Sequence, residues 1–354
     1  MLILFALFVI LYNVLALDDQ PLSLIVYVND IQPGRTNFYN FEAGASVYVA
    51  GARDGEGVEY EDNIHIHIPE SETTTSTMTE ASKKEKNGAK VAVFGGTFEQ
   101  IAIRNDNQNT SIAKYPGIIY FVAANDGTYL STVYESKNPN NYSLQSESND
   151  NRYVTFLNPT GAVKLSNIGD INGISQLSIV AGGVQEAQHS KYWINTIGRD
   201  DVNPKSVMLI EPVITIRKQF SFVPSEFNFT AEDVLVPDTI RLSMNWSEWN
   251  IAMSPNYMEK NISQSIKYII NGSMPNTDYE LMLFGEVNPL STLSISYDGY
   301  DGSGTQIWHT KTFDNDYHLT RGKLLTIDYQ RSMSDRSKGI LIRITCISKF
   351  IIYS

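Results

Sequence analysis

The chain has 354 residues, 42% hydrophobic and 19% charged, a balance that supports a packed core and excludes a wholly disordered polypeptide. Its 39 Asp and Glu against 27 Lys and Arg leave a formal net charge of −12, which opposes phosphate backbones and excludes general nucleic-acid binding. The many Tyr and Phe favour strands, and a single Cys rules out a disulfide framework within the chain.

The first residues, MLILFALFVILYNVLAL, are apolar and stop at Asp18-Asp19. The run is short of the ~20 residues a membrane span needs. Val14 and Ala16 supply small residues at the −3 and −1 positions, so cleavage after Ala16 is expected. Residues 1–16 therefore read as a signal peptide. The chain reads as secreted, with no membrane span once that peptide is removed. Six sequons start at Asn109, Asn141, Asn228, Asn245, Asn261 and Asn271. In a secreted glycoprotein each is a glycan acceptor, although so Asn-rich a chain produces a similar number by chance.

Strand signals follow in order. Residues 22–28 (LSLIVYV) end at Gln32-Pro33-Gly34, a turn signal, and 45–50 close at Asp54-Gly55. Residues 64–68, Ile-His-Ile-His-Ile, alternate with period two. Residues 70–88 lack aromatics and read as a mobile surface loop. Strands resume at 91–94, 98–103 and 117–124, the last ending at the hairpin signal Asn125-Asp126-Gly127. Residues 138–152 read as a polar loop. Further strands are expected at 153–157, 162–165 and 177–180, and 207–217 read as a last strand or a connector. No long amphipathic helix and no short-period repeat is apparent. The pattern predicts an all-β fold of sandwiches or barrels. The expected organisation is a β-rich region at 17–217, a connector at 218–229, a second β-rich domain at 230–348 and a tail at 349–354.

From Thr239 strands are predicted at 240–244, 266–270, 279–284, 293–297, 306–309, 324–329 and 340–347. Asn271-Gly272, Asn288-Pro289, Asp298-Gly299 and Arg321-Gly322 supply turns between them. Ser254-Pro255-Asn256-Tyr257 precedes an aromatic and aliphatic strand holding Tyr268 and Ile270. Asp298-Gly299 follows a central strand, and an aliphatic strand, a polar turn and Gly339-Ile340-Leu341-Ile342 close the region. In that order of features residues 230–348 resemble the CUB domain, an extracellular antiparallel β-sandwich of jelly-roll type. Divergent, cysteine-poor CUB-like domains of secreted nematode proteins are similar. Ile266 stands where that family usually has a Cys. The resemblance implies an extracellular binding role, in defence or matrix interaction. Residues 17–217 resemble no family.

Many CUB domains bind Ca²⁺ through one Glu and two Asp, and the resemblance places Glu286 and Asp298 at two of those positions. No acid fills the middle position between them, so the oxygen cage is incomplete and the calcium expectation is weak. No other cofactor is implied. His65 and His67 fall on one face of a strand, and Glu72 follows five residues beyond His67. His-x-His suits zinc or iron, and two solvent-facing imidazoles on an edge strand are the plainer reading. Trp246, Trp249, Tyr257 and Trp308 could form an aromatic contact patch, or fill core and turns. Cys346, in an aliphatic strand, reads as a buried inert thiol, with intermolecular pairing as the alternative. No Gly-x-Ser-x-Gly elbow, phosphate loop or dinucleotide fingerprint occurs. The sequence thus predicts a non-enzymatic secreted protein that binds an extracellular protein or glycan. The rival is an extracellular metal-dependent hydrolase, with His65 and His67 at its metal and the CUB-like region as a targeting module.

Overall fold

The computed structural model describes residues 22–41, 44–53, 55–68, 75–86, 89–95, 100–109, 117–124, 129–135, 139–146, 151–159, 161–168, 177–188, 193–197, 205–218, 225–255, 257, 265–273, 277–299, 302–332 and 339–348. The signal-peptide segment, the C-terminal tail, Glu72, Asn256 and Asn261 lie outside them. The chain divides into two compact units, Met1–Gly127 with Gly183–Gln185, and Thr128–Gly182 with Glu186–Ser354.

The first unit packs two small sheets. One carries β1 (Ser23–Tyr27), β3 (Ser46–Ala50), β6 (Phe94–Gly95) and β8 (Ile118–Val122), the other β2 (Thr36–Asn40), β4 (Ile64–His67), β5 (Thr75–Thr77) and β7 (Gln100–Asn105). Alternation explains the layering. Val47 and Val49 of one sheet and Ile64, Ile66, Ile101 and Ile103 of the other share one core. Two short helices, α1 (Gly55–Glu61) and α2 (Met78–Ser82), join them. Glu61 closes α1 and is almost wholly buried, its carboxylate accepting from the Ala52 N–H at 2.9 and 3.0 Å. The expected loop at 70–88 contains both β5 and α2. A capping box starts the helix: the Glu80 N–H donates to Thr77 Oγ1 at 3.2 Å, and the Thr77 N–H to Glu80 Oε2 at 3.1 Å.

The second unit holds two sandwiches. In the middle one, β14 (Trp193–Ile197), β13 (Leu177–Ala181), β16 (Val213–Lys218), β11 (Asn151–Leu157) and β9 (Tyr129–Glu135) lie side by side in that order. Facing them are β10 (Asn140–Ser146), β17 (Ser225–Leu235), β12 (Gly161–Ser166) and β15 (Ser206–Leu209), also in that order. Strand β10 occupies the expected polar loop at 138–152. Among its described side chains Tyr142 and Leu144 are the buried ones, and Tyr142 packs against Phe156 and Phe229. Strand β17 pairs with β10 and β12 and runs from inside the expected 218–229 connector past residue 230.

The C-terminal sandwich is built from β18 (Thr239–Met244), β19 (Trp249–Met253), β20 (Ile266–Gly272), β21 (Thr277–Val287), β22 (Ser291–Gly299), β23 (Gly302–Trp308), β24 (Lys311–Arg321), β25 (Leu324–Arg331) and β26 (Gly339–Ser348). One sheet runs β18-β20-β25-β22-β23, the other β19-β26-β21-β24. All pairings within this sandwich are antiparallel except β18 with β20. The chain is therefore all-β, and its C-terminal region is a two-sheet sandwich. Buried residues of both sandwiches form one continuous core. Trp193 packs edge-on against Phe284 at 6.3 Å, and the Arg343 guanidinium lies over its ring at 5.9 Å.

Tyr268 ties the two C-terminal sheets together. It projects from β20 and is almost wholly buried. Its hydroxyl accepts from the Met253 N–H and donates to the Met253 carbonyl, both at 2.9 Å. Met253 lies on β19, an outermost strand, so the hydroxyl satisfies backbone groups on the side where no strand pairs. Tyr268→Phe is expected to leave a buried donor and acceptor unpaired and to cost about 2 kcal/mol or more. The check is urea unfolding: the midpoint should fall while the slope stays constant.

Candidate functional site

Strand β4 turns Ile64 and Ile66 into the first unit's core and leaves His65 and His67 half-exposed on the other face. His65 Nε2 lies 3.6 Å from Asp106 Oδ2, and Arg104 Nε holds the same carboxylate at 2.6 Å. Arg104 sits directly across from His65 on β7. The arrangement is a surface ion-pair cluster, in which Arg104 already neutralises the acid. Among the described residues no group of three or more His, Cys, Asp or Glu is placed to hold a metal ion.

Glu286 and Asp298 do not come together. Glu286 is on β21, paired to Gly339 and Thr312 in one sheet. Asp298 is on β22, in the other sheet, near the end away from the 288–290 turn. At ~3.3 Å per residue that places Asp298 roughly 20 Å along the sandwich from the turn beside Glu286. One calcium ion needs its oxygens at about 2.3–2.6 Å, so these two acids share no site.

The four aromatic candidates are likewise separated. Trp249 and Tyr257 are core residues, 2% and 4% exposed. Burial pushes the Tyr257 phenol up to about 12. The Tyr257 N–H also donates to the Ser254 carbonyl at 3.0 Å, closing a turn there. Ser254 Oγ accepts from the Ile340 N–H at 2.8 Å, which fixes this turn to β26. Trp246 is 48% exposed, in the turn between β18 and β19. Trp308 is half-buried at the end of β23, edge-on to Phe313 and His318.

The sequons at Asn109, Asn141, Asn228, Asn245 and Asn271 are all exposed. Two of them face each other: Asn141 lies opposite Thr230, and Ser143 opposite Asn228. Thr230 Oγ1 donates to Asn141 Oδ1 at 2.7 Å, and Asn245 Nδ2 donates to Glu248 Oε1 at 2.7 Å.

What the fold does assemble is an edge. Strands β23 and β24 are outermost in their sheets and follow one another through the turn at His309-Thr310. Three large apolar side chains stand out from them: Ile307 (56% exposed) on β23, and Tyr317 (58%) and Leu319 (56%) on β24. The Tyr317 hydroxyl donates to Glu280 Oε1 at 3.1 Å. Lys311 Nζ pairs with Asp316 Oδ2 at 2.5 Å, and that hydrogen bond chiefly holds the Asp316 carboxyl below its usual range. Beside the edge, Ser296, Asp298, Ser303, Thr305, Leu324 and Thr326 line an open groove of about 550 Å³. Ser296 and Thr305 share a hydroxyl hydrogen bond across it at 3.0 Å.

Sequence reading missed β24 and its exposed pair. The reason is a bulge. Phe313 points inward, Asn315 is inserted with φ 60°, and from there Thr320 is the inward residue. The extra residue flips the parity, so no single period-two pattern spans the strand.

Cys346 lies between the sheets, 2% exposed and unpaired in any disulfide. Burial, then the Glu248 carboxylate, raises its thiol to about 11. A thiol held so far above neutrality forms almost no thiolate. The native protein is expected not to react with a thiol-specific chromogenic disulfide at pH 8, and to release one equivalent of chromophore once unfolded in guanidinium.

No family model matches the chain, and no curated protein matches it. Among solved structures it is similar to the CUB1-EGF-CUB2 domains of rat MASP-1, at 11% identity over 61% of this chain and 99% of that one, with a TM-score of 0.23. The CUB1-EGF-CUB2 domain of human MASP-1/3 compares at 10% identity over 58% of this chain and 99% of that one, with the same TM-score of 0.23.

Proposed function

We propose that this protein is a secreted, non-enzymatic glycoprotein that binds an extracellular protein segment along the β23–β24 edge of its C-terminal sandwich. The observation that carries this reading is the exposure of Ile307, Tyr317 and Leu319 on two outermost strands. An outermost strand offers unpaired backbone N–H and C=O groups, and an incoming extended segment can pair with them. Tyr317 and Leu319, two residues apart, point to one face and supply alternate side-chain contacts beside such a segment. Aromatic anchors of this kind dominate binding energy at interfaces. Among the described residues no helix is long and apolar enough to cross a membrane.

A second reading, a glycan ligand, draws support from the adjoining groove. Its serine and threonine hydroxyls and Asp298 match the hydrogen-bonding groups of a sugar ring.

Secretion is tested by expressing the full chain in eukaryotic cells. The mature N-terminus is expected at Leu17, with glycans on the exposed sequons, and mass spectrometry reads both. Retention of the whole chain inside the cells would remove the basis for this reading. Binding is tested by screening the secreted chain against panels of extracellular proteins and of glycans. For a protein ligand, Tyr317→Ser and Leu319→Ser are each expected to weaken affinity about tenfold, a hot-spot loss of ~1.4 kcal/mol. Thr305→Val in the groove should then have little effect. The converse pattern would favour the glycan, and a ligand indifferent to all three variants would place the binding surface elsewhere.

A further inference from the structure

The sheet β10-β17-β12-β15 of the middle sandwich has two borders. At one, Asn250 of β19 donates from Nδ2 to the Ser206 carbonyl of β15 at 3.3 Å. At the other, β10 has no strand beyond it among the described residues. The sequence of β10, NNYSLQS, contains no charge and no proline. Its residues pair one to one with β17 along the whole strand, so no bulge turns it aside. Proteins guard open edges with charged side chains, prolines, bulges or a covering element, because an unguarded edge pairs with another strand. Strand β10 carries none of the first three.

What β10 does carry is a sequon. Asn141 is exposed, and Ser143 completes the acceptor. Thr230 Oγ1 of β17 donates to Asn141 Oδ1 at 2.7 Å, and Asn167 Nδ2 donates to the same hydroxyl at 3.1 Å. The Asn141 amide is thus anchored through its oxygen, and Nδ2, the atom that takes a glycan, is on the diverging arm. We propose that a glycan on Asn141 is the covering element of the β10 edge and keeps this strand from pairing with a second copy of the chain. The inference rests on the secretion reading, since the sugar is added in the secretory pathway. The donor there is a lipid-linked oligosaccharide diphosphate. Asn141 Nδ2 forms a bond to the anomeric carbon of the first sugar, the bond from that carbon to the diphosphate oxygen breaks, and Nδ2 gives up one proton. Oδ1 takes no part and keeps its Thr230 bond. A glycan is bulky and strongly hydrated, so a strand docking beside β10 would collide with it and strip its water. Asn228 supplies the contrast. It lies opposite Ser143, but on β17, which is paired on both sides, so a glycan there covers the face and leaves the edge open.

The test uses the full chain secreted from eukaryotic cells. Mass spectrometry is expected to find Asn141 glycosylated, and light scattering after size exclusion to give the mass of one chain. Asn141→Gln and Ser143→Ala both remove the acceptor. Ser143→Ala keeps the Asn141–Thr230 hydrogen bond, so it separates loss of the glycan from loss of that contact, and it decides the matter if Asn141→Gln does not fold. Each variant should rise about twofold in mass as its concentration increases, the signature of two copies joined edge to edge. Asn228→Gln, which removes a glycan from the central strand, should keep the native mass. A secreted chain with Asn141 bare, a native mass in Ser143→Ala, or an equal rise in Asn228→Gln would overturn the inference and leave the secretion reading standing. Retention inside the cells without glycans would overturn both.

Discussion

Every strand must satisfy its backbone donors and acceptors on both sides, and a sandwich, unlike a closed barrel, leaves outermost strands with one side unpaired. In the C-terminal sandwich those strands are β18, β19, β23 and β24. At β19 the constraint is met from within, since a Tyr268 hydroxyl from the opposite sheet serves both the N–H and the carbonyl of Met253. At β23 and β24 no strand lies beyond them among the described residues, and apolar side chains stand out beside the unpaired backbone. The same edge carries devices that discourage indiscriminate pairing: the Asn315 bulge and the Lys311–Asp316 ion pair. A surface that is open yet locally twisted and charged suits a selective partner better than self-association.

The strands legible in the sequence are those whose environment differs sharply between faces. Ile64-His65-Ile66-His67 reads correctly because core and solvent alternate residue by residue. The C-terminal aliphatic strands, β25 and β26, read correctly for the same reason or because both faces are covered. The segments read as loops fail in instructive ways. Strand β10 buries Tyr142 and Leu144 among polar neighbours, and it pairs with β17, some ninety residues away in sequence. Helix α2 is too short for a helical period to emerge, and its one local signal is the Thr77–Glu80 capping box. The connector expected at 218–229 overlaps β17, whose inward Phe227, Phe229 and Ala231 belong to the middle sandwich. Polarity marked the solvent face of that strand, and tertiary pairing set its extent.

Candidate sites fared less well, because residue type carries no information about distance. Glu286 and Asp298 are close in sequence and stand in different sheets, since a strand and a turn separate them. Trp249 and Tyr257 are the right residues for an interface and also for a core, and the packing demand of two facing sheets took them. Trp308 keeps a partial role, because the turn into β24 holds it at the rim over Phe313 and His318. The exposed Tyr317 and Leu319 were hidden by the parity change at Asn315.

The buried cation Lys218 follows a different logic from the edge. An acidic protein has no general need to bury positive charge, because its cations find carboxylates near the surface, as Lys311 does with Asp316. Lys218 departs from that pattern on strictly local grounds. Register places it opposite Arg152, and strand alternation turns it to the side of Ile214 and Ile216. Shifting β16 by one residue would carry the amine to the opposite face, but it would also carry Ile214 and Ile216 out of the core. The hydrophobic residues thus fix the lysine's position, and its charge must be accommodated where they put it.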